Sequence, residues 1–214
     1  MTSAQRPAKW SVLQELLEAN RMRSAGNHRA ALAAYLEILE LSGESAHLCA
    51  VIADCHFMMA VGHEAAEHFH EAVNWMERAV ALAPGEGRLH AHLGQYYSTA
   101  VLDYGRSASE YREAIRLSPY DHSALVGSAS LYGVPEGVVS LDEATGWMEM
   151  AVQLEPDEAW YHDRLAELYR EAGRVTDSKR EGLRALLCAR PLDPADADFV
   201  ATCLIASEAP EELP

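Results

Sequence analysis

The side chains best suited to chemistry are 10 histidines and 4 cysteines in a chain of 214 residues. The densest group is His63-Glu64-Ala65-Ala66-Glu67-His68-Phe69-His70-Glu71. A zinc-protease signature needs a second histidine where Glu67 stands, so that motif is not met. On a helix, His63, Glu67 and either His70 or Glu71 share one stripe, and a surface metal site of a metal-dependent enzyme or sensor is the chemistry this spacing offers. Ala65, Phe69 and Ala72 form the apolar face, which turns the stripe to solvent, whereas a catalytic zinc needs a cleft. A solvated helix surface is the preferred reading.

Cys49 and His56 are seven apart and share a helix face, the arrangement of a thiolate–imidazole pair. Packing in a helical core accounts for both more simply. His90 and His92 are two apart, on different sides of one helix, and cannot chelate together. No glycine-rich phosphate loop, nucleophile elbow or nucleotide fingerprint occurs. No cofactor, resident metal or catalytic residue is expected.

The remaining cysteines, Cys55, Cys188 and Cys203, form no C-x-x-C pair, and Cys49 and Cys55 lie on different faces of a helix. Reduced thiols packed as small apolar residues are expected. The formal net charge is −16, from 17 basic and 33 acidic residues. Binding to phosphate backbones requires Lys and Arg to displace counterions, so nucleic acid is a poor partner, as is an anionic membrane surface. A basic protein segment suits the charge better, although acidity also serves solubility. No run reaches the eighteen or so apolar residues of a membrane span, and Met1 to Trp10 lacks an apolar stretch, so a cytoplasmic protein is expected.

The elements that position these residues are repeats. Ala79-Val-Ala-Leu-Ala-Pro84, Ala114-Ile-Arg-Leu-Ser-Pro119 and Ala151-Val-Gln-Leu-Glu-Pro156 align, with Ala185-Leu-Leu-Cys-Ala-Arg-Pro191 a looser copy. Their prolines are separated by 35, 37 and 35 residues. Alanine lets two helices approach, leucine closes the apolar stripe, and proline ends the helix because it has no N–H and restricts its predecessor. Fresh helices follow over Gly85 to Ala100, Tyr120 to Tyr132 and Asp157 to Ala172. Within them, Leu93-Gly94 followed by Tyr97, Tyr132, and Leu165-Ala166 with Tyr169 repeat one pattern, and Gly173-Arg174 makes a turn.

In these motifs, in phase over most of its length, the chain resembles the tetratricopeptide-repeat (TPR) family, whose period is about 34 residues. The resemblance implies an all-α, right-handed superhelical solenoid of about five helix-turn-helix repeats closed by a C-terminal capping helix. Residues 1–8 are read as a flexible N-terminus and 9–207 as one domain. The repeats fall at about 10–43, 46–84, 86–119, 121–156 and 158–191, followed by a capping helix at 194–207 and an acidic disordered tail at 208–214. Two departures stand out. The second repeat fits two registers seven residues apart, which predicts one long helix from about Glu64 to Leu82. Gly133 to Ser140 is a long loop, after which Ser140 and Glu143 form a capping box.

In this family the first helix of each pair lines a concave groove that usually takes an extended or helical peptide. The resemblance therefore places Asn20 and Arg23 of the first repeat in the groove, with Arg88, Ala91, His92 and Gln95 of the third. Ser123 and Ser130 of the fourth follow, then Trp160, Asp163, Glu167 and Arg170 of the fifth. Trp160 either seals a repeat interface or anchors a partner. Chaperone-binding members hold a terminal carboxylate with Lys, Asn and Arg; only Asn20 matches well, so that clamp is not expected. The functional expectation is a protein-interaction module, an adaptor or partner-dedicated chaperone, that binds a peptide segment of another protein. A self-assembling scaffold, and hence a homo-oligomer, is the first alternative; the metal-dependent enzyme or sensor is the second.

Overall fold

The computed structural model describes residues 9–62, 65–189 and 199–204. These residues are helices and connecting turns, with no strand among them. The chain divides into two compact units, meeting in sequence at Ser118 and Pro119.

The first unit contains α1 (Lys9–Ser24), α2 (His28–Ser42), α3 (Ala46–Met59), α4 (Ala65–Leu82), α5 (Gly87–Tyr96) and α6 (Tyr104–Leu117). Each helix packs on the next in chain order. The extended second helix of the ambiguous repeat is α4, and its buried Ala72, Val73, Met76 and Ala79 lie on one stripe, since seven residues is close to two turns. Short side chains define the starts: Asn27, Ser45 and Asp103 each accept a backbone N–H three residues on, which satisfies an otherwise orphaned donor. The expected helix from Gly85 to Ala100 is less regular than its pattern. It becomes π-helical over Tyr97–Val101 and ends at Leu102 in the left-handed conformation (φ 58°).

Two apolar clusters share α3. Ala19, Ala31, Tyr35, Ile38 and Ile52 pack with Cys55 on one side. On the other, Cys49 and Ala53 pack with Ala72, Met76, Leu93 and Tyr96. Both thiols are thus core residues. Burial keeps the Cys49 thiol protonated above its ordinary range and pushes Cys55 to about 11, against the lowering influence of Arg23. His56 turns away from Cys49 toward His68, so no nucleophile pair forms. Gly94 faces Tyr111 so closely that a Cβ would lie 2.9 Å from the ring, which is why a glycine stands in this helix-helix contact.

The second unit contains α7 (His122–Ser130), α8 (Leu141–Leu154), α9 (Ala159–Glu171) and α10 (Val175–Ala189), again packed in order. Residues 199–204 are helical as well; the rest of the expected capping helix and tail lie outside the described residues. α7 stops at Ser130, two residues short of the expected Tyr132. Gly133 and Gly137 then take positive φ in the long loop, and the Ser140–Glu143 capping box opens α8.

The third and fifth repeats carry the same two polar devices. His90, six residues after Pro84, contacts the Pro84 carbonyl through Nε2 (3.1 Å) and the Glu110 carboxylate through Nδ1 (2.6 Å). His162 does the same with Pro156 (2.8 Å) and Glu181 (2.7 Å), and both of that pair are almost fully buried. A carbonyl only accepts, so Nε2 carries hydrogen and the second ring nitrogen shares a further proton with the carboxylate. The end of one helix is thereby bonded to both helices of the following pair. At the matching position the fourth repeat has Leu125 and the second has Cys49, both fully buried. In the second device, Tyr97 donates to Glu77 beneath Arg106, and Tyr169 donates to Glu149 (2.7 Å) beneath Arg174, 4.0 Å from the ring centroid.

Candidate partner-binding site

Helices α1, α3 and α5, the first members of the three pairs in the first unit, enclose a pocket of about 190 Å³. Arg23 enters from α1; His47, Ala50, Val51 and Asp54 from α3; and Arg88, Leu89 and His92 from α5, with Glu86 at its cap. The three α3 positions 47, 50/51 and 54 are one helical stripe, and 88/89 and 92 are another.

Asp54 organises the polar part of this pocket. It accepts a hydrogen bond from the Tyr96 hydroxyl (2.7 Å) and lies 3.8 Å from Arg23 Nη1 and 3.7 Å from His92 Nδ1. Burial alone would push its carboxyl up. The polar contacts from His92 and Tyr96 and the nearby charges of His92 and Arg23 outweigh burial, so its pKa lies below the ordinary value. Tyr96 is shifted the opposite way, by burial and then by the Asp54 charge. Arg23 Nε is buried with no acceptor among the described residues. Leaving such a donor unmet costs on the order of 1–3 kcal/mol, so an acceptor brought into the pocket has a ready partner. Despite the net charge of −16, guanidinium groups are prominent here.

In the second unit, Ser130 of α7 and Trp160, Asp163, Arg164 and Glu167 of α9 line a shallower pocket of about 280 Å³. Trp160 is 46% exposed and meets Tyr161 edge-on. Arg164 pairs with Glu167 (2.8 Å), and the Ser130 hydroxyl donates to the Val126 carbonyl (2.8 Å).

The structure thus brings Arg23, Arg88 and His92 together in one pocket, and Ser130, Trp160, Asp163 and Glu167 in another. Asn20 is used internally: it accepts from the Tyr35 hydroxyl (2.6 Å) and bonds α1 to α2. Gln95, Ser123 and Arg170 are exposed but line neither pocket. Ala91 faces inward, 2% exposed, since it lies about 100° around the helix from His92 and nearer to Gly94. His47 and Asp54 were missed because the second repeat had two registers. The serine cap at Ser45 followed by that stripe is the signal that places them.

His63 and Glu64 of the histidine-rich group lie outside the described residues. Glu67 and His70 are exposed, and no group of three or more His, Cys, Asp or Glu is arranged around a metal position among the described residues. No described helix is long and apolar enough to cross a membrane.

Solved structures match these helix pairs over most of the chain. MamA 41-end from Desulfovibrio magneticus RS-1 superposes with a TM-score of 0.70 at 15% identity, covering 85% of this chain and 97% of that one. YrrB, described as a TPR protein with an unusual peptide-binding site, superposes with a TM-score of 0.62 at 19% identity, covering 88% and 89%. The fold is the tetratricopeptide-repeat fold. MamA AMB-1 gives a TM-score of 0.67 at 16% identity, covering 89% of this chain and 98% of its own. No family model matches this chain, and no curated protein matches it in sequence. Within the TPR fold, α1, α3, α5, α7 and α9 are the first helices of their pairs, and both pockets lie on first helices.

Proposed function

We propose that this chain is a protein-interaction module, an adaptor or partner-dedicated chaperone rather than an enzyme, and that it binds a peptide segment of another protein along its first-helix faces. The observation that carries this reading is the pocket between α1, α3 and α5, where Arg23 holds a buried, unmet donor and exposed Arg88 stands at the rim. An acceptor-bearing group of the segment engages the two guanidiniums, which suit planar oxygen acceptors. In the second unit, exposed Trp160 is a separate candidate anchor of the kind that dominates binding hot spots.

Peptides selected from a random display library on the intact chain, then measured by fluorescence anisotropy, provide the test. Arg88→Ala and Trp160→Ala should each weaken the selected peptides about tenfold or more with unchanged thermal stability, since both side chains are exposed. Wild-type affinity in both variants would move the site off these faces. The negative net charge is expected to steer basic segments, so their association should slow as salt rises.

Self-association is the second reading, and one observation favours it. Leu13 and Leu17, one turn apart on α1, are 50% and 56% exposed. Sedimentation that depends on concentration, and ceases to in Leu13→Ser/Leu17→Ser, would establish it.

A further inference from the structure

His56 of α3 and His68 of α4 bring their Nδ1 atoms to 3.0 Å, with ring centroids 5.2 Å apart and planes inclined by 49°. Neither repeat packing nor the proposed groove uses this pair. Both rings are half-buried at the edge of the α3–α4 contact. Two imidazole nitrogens so close need something between them. In the apo chain it is a proton, donated by one Nδ1 to the lone pair of the other. The same separation also suits two ligands of one metal ion set to one side of the line that joins them. For metal–nitrogen bonds of about 2.0–2.1 Å, two ligand atoms stand roughly 2.9 Å apart at a right angle and roughly 3.4 Å apart at the tetrahedral angle.

We propose that His56 and His68 form a two-histidine chelate for a divalent transition metal of the zinc, nickel and copper class, with water completing the shell. Imidazole suits these ions, whereas hard cations prefer oxygen ligands. The surroundings agree. The carboxylates of Glu71 and Glu67 lie close enough to act on the His56 ring, and their charge would favour a dication. When metal binds, the proton between the two Nδ1 atoms relocates to Nε2 of its ring, so two neutral imidazoles take up the ion with no net proton loss. The ligands come from the two helices of one pair, so the ion staples α3 to α4. His70, exposed two residues along α4, is not part of the chelate.

Calorimetric titration of the intact chain with ZnCl₂ at pH 7.5 tests this directly. Wild type should bind a single equivalent saturably and melt at higher temperature as free Zn²⁺ rises. His56→Gln and His68→Gln should each weaken binding about tenfold or more, and His70→Gln should bind as wild type does. Long-range ¹H–¹⁵N spectra of unsubstituted protein give a readout that needs no variant: with Zn²⁺, both rings should become Nε2–H tautomers with Nδ1 shifted by the metal. Absence of saturable binding in wild type, wild-type affinity in the His56 and His68 variants, or ring tautomers unchanged by Zn²⁺ would each overturn the proposal.

Discussion

Removing one member of the buried His162–Glu181 pair should be far more damaging than removing both. Glu181 is 3% exposed and is held by His162 Nδ1 at 2.7 Å, with Arg184 at 3.0 Å and Arg180 at 3.5 Å. His162→Leu strips the imidazole from this carboxylate and a donor from the Pro156 carbonyl. Breaking a buried pair this way costs about 3–5 kcal/mol, and the two remaining arginines put the value near the lower end, about 3. Glu181→Met leaves a buried ring nitrogen unmet, at about 2 kcal/mol, within the usual range for an orphaned polar atom. The double variant His162→Leu/Glu181→Met should return to within about 1 kcal/mol of wild type, because a well-packed apolar pair is often an adequate replacement. The fourth repeat already has fully buried Leu125 at the matching position. Urea unfolding followed by tryptophan fluorescence, with Trp160 on the same helix as His162, measures all three. At roughly 2–4 °C per kcal/mol, the histidine variant should melt about 6–12 °C lower. A double variant that loses the sum of the singles, about 5 kcal/mol, would refute the reasoning, since contacting residues should couple.

Two further outcomes are specific. Gly94→Ala should destabilise by about 1–2 kcal/mol, because overpacking against the Tyr111 ring outweighs the gain in helix propensity. Gly146→Ala, inside α8 with nothing within 4 Å of the new Cβ, should stabilise by up to about 1 kcal/mol; equal effects at the two sites would contradict the contact. Burial and the neighbouring His68 hold the His56 pKa below the ordinary histidine value of about 6.5. Its contribution to stability is present above that value and fades as pH falls through the lowered one, so His56→Gln should flatten stability against pH below about 6.5.

The helix pairs were legible because three of them end on the same chemistry: a small alanine, a leucine and a proline. The alanines Ala79, Ala114 and Ala151 are fully buried and α4 runs to Leu82 because those choices act locally. Asp54 and His47 were not legible, since which side of α3 faces the pocket depends on how the ambiguous repeat docks on its neighbours. The turn at Tyr97–Val101 was hidden as well, because its apolar spacing reads like ordinary helix. Ala91 shows the limit at single-residue level: sitting next to His92 in sequence, it lies about 100° away around the helix.

A chain of self-similar helices faces a problem of address. The apolar stripes of its repeats resemble one another, so a helix could dock beside the wrong copy with little loss of buried surface. His90 and His162 make such mistakes costly, because each must find a particular proline carbonyl and a particular glutamate at once. The fourth and second repeats carry Leu125 and Cys49 in the histidine's own place and form no such bonds. A well-packed apolar pair would hold the native state about as well, so what the polar pairs add is a penalty on any docking that leaves the glutamate or the histidine unpaired.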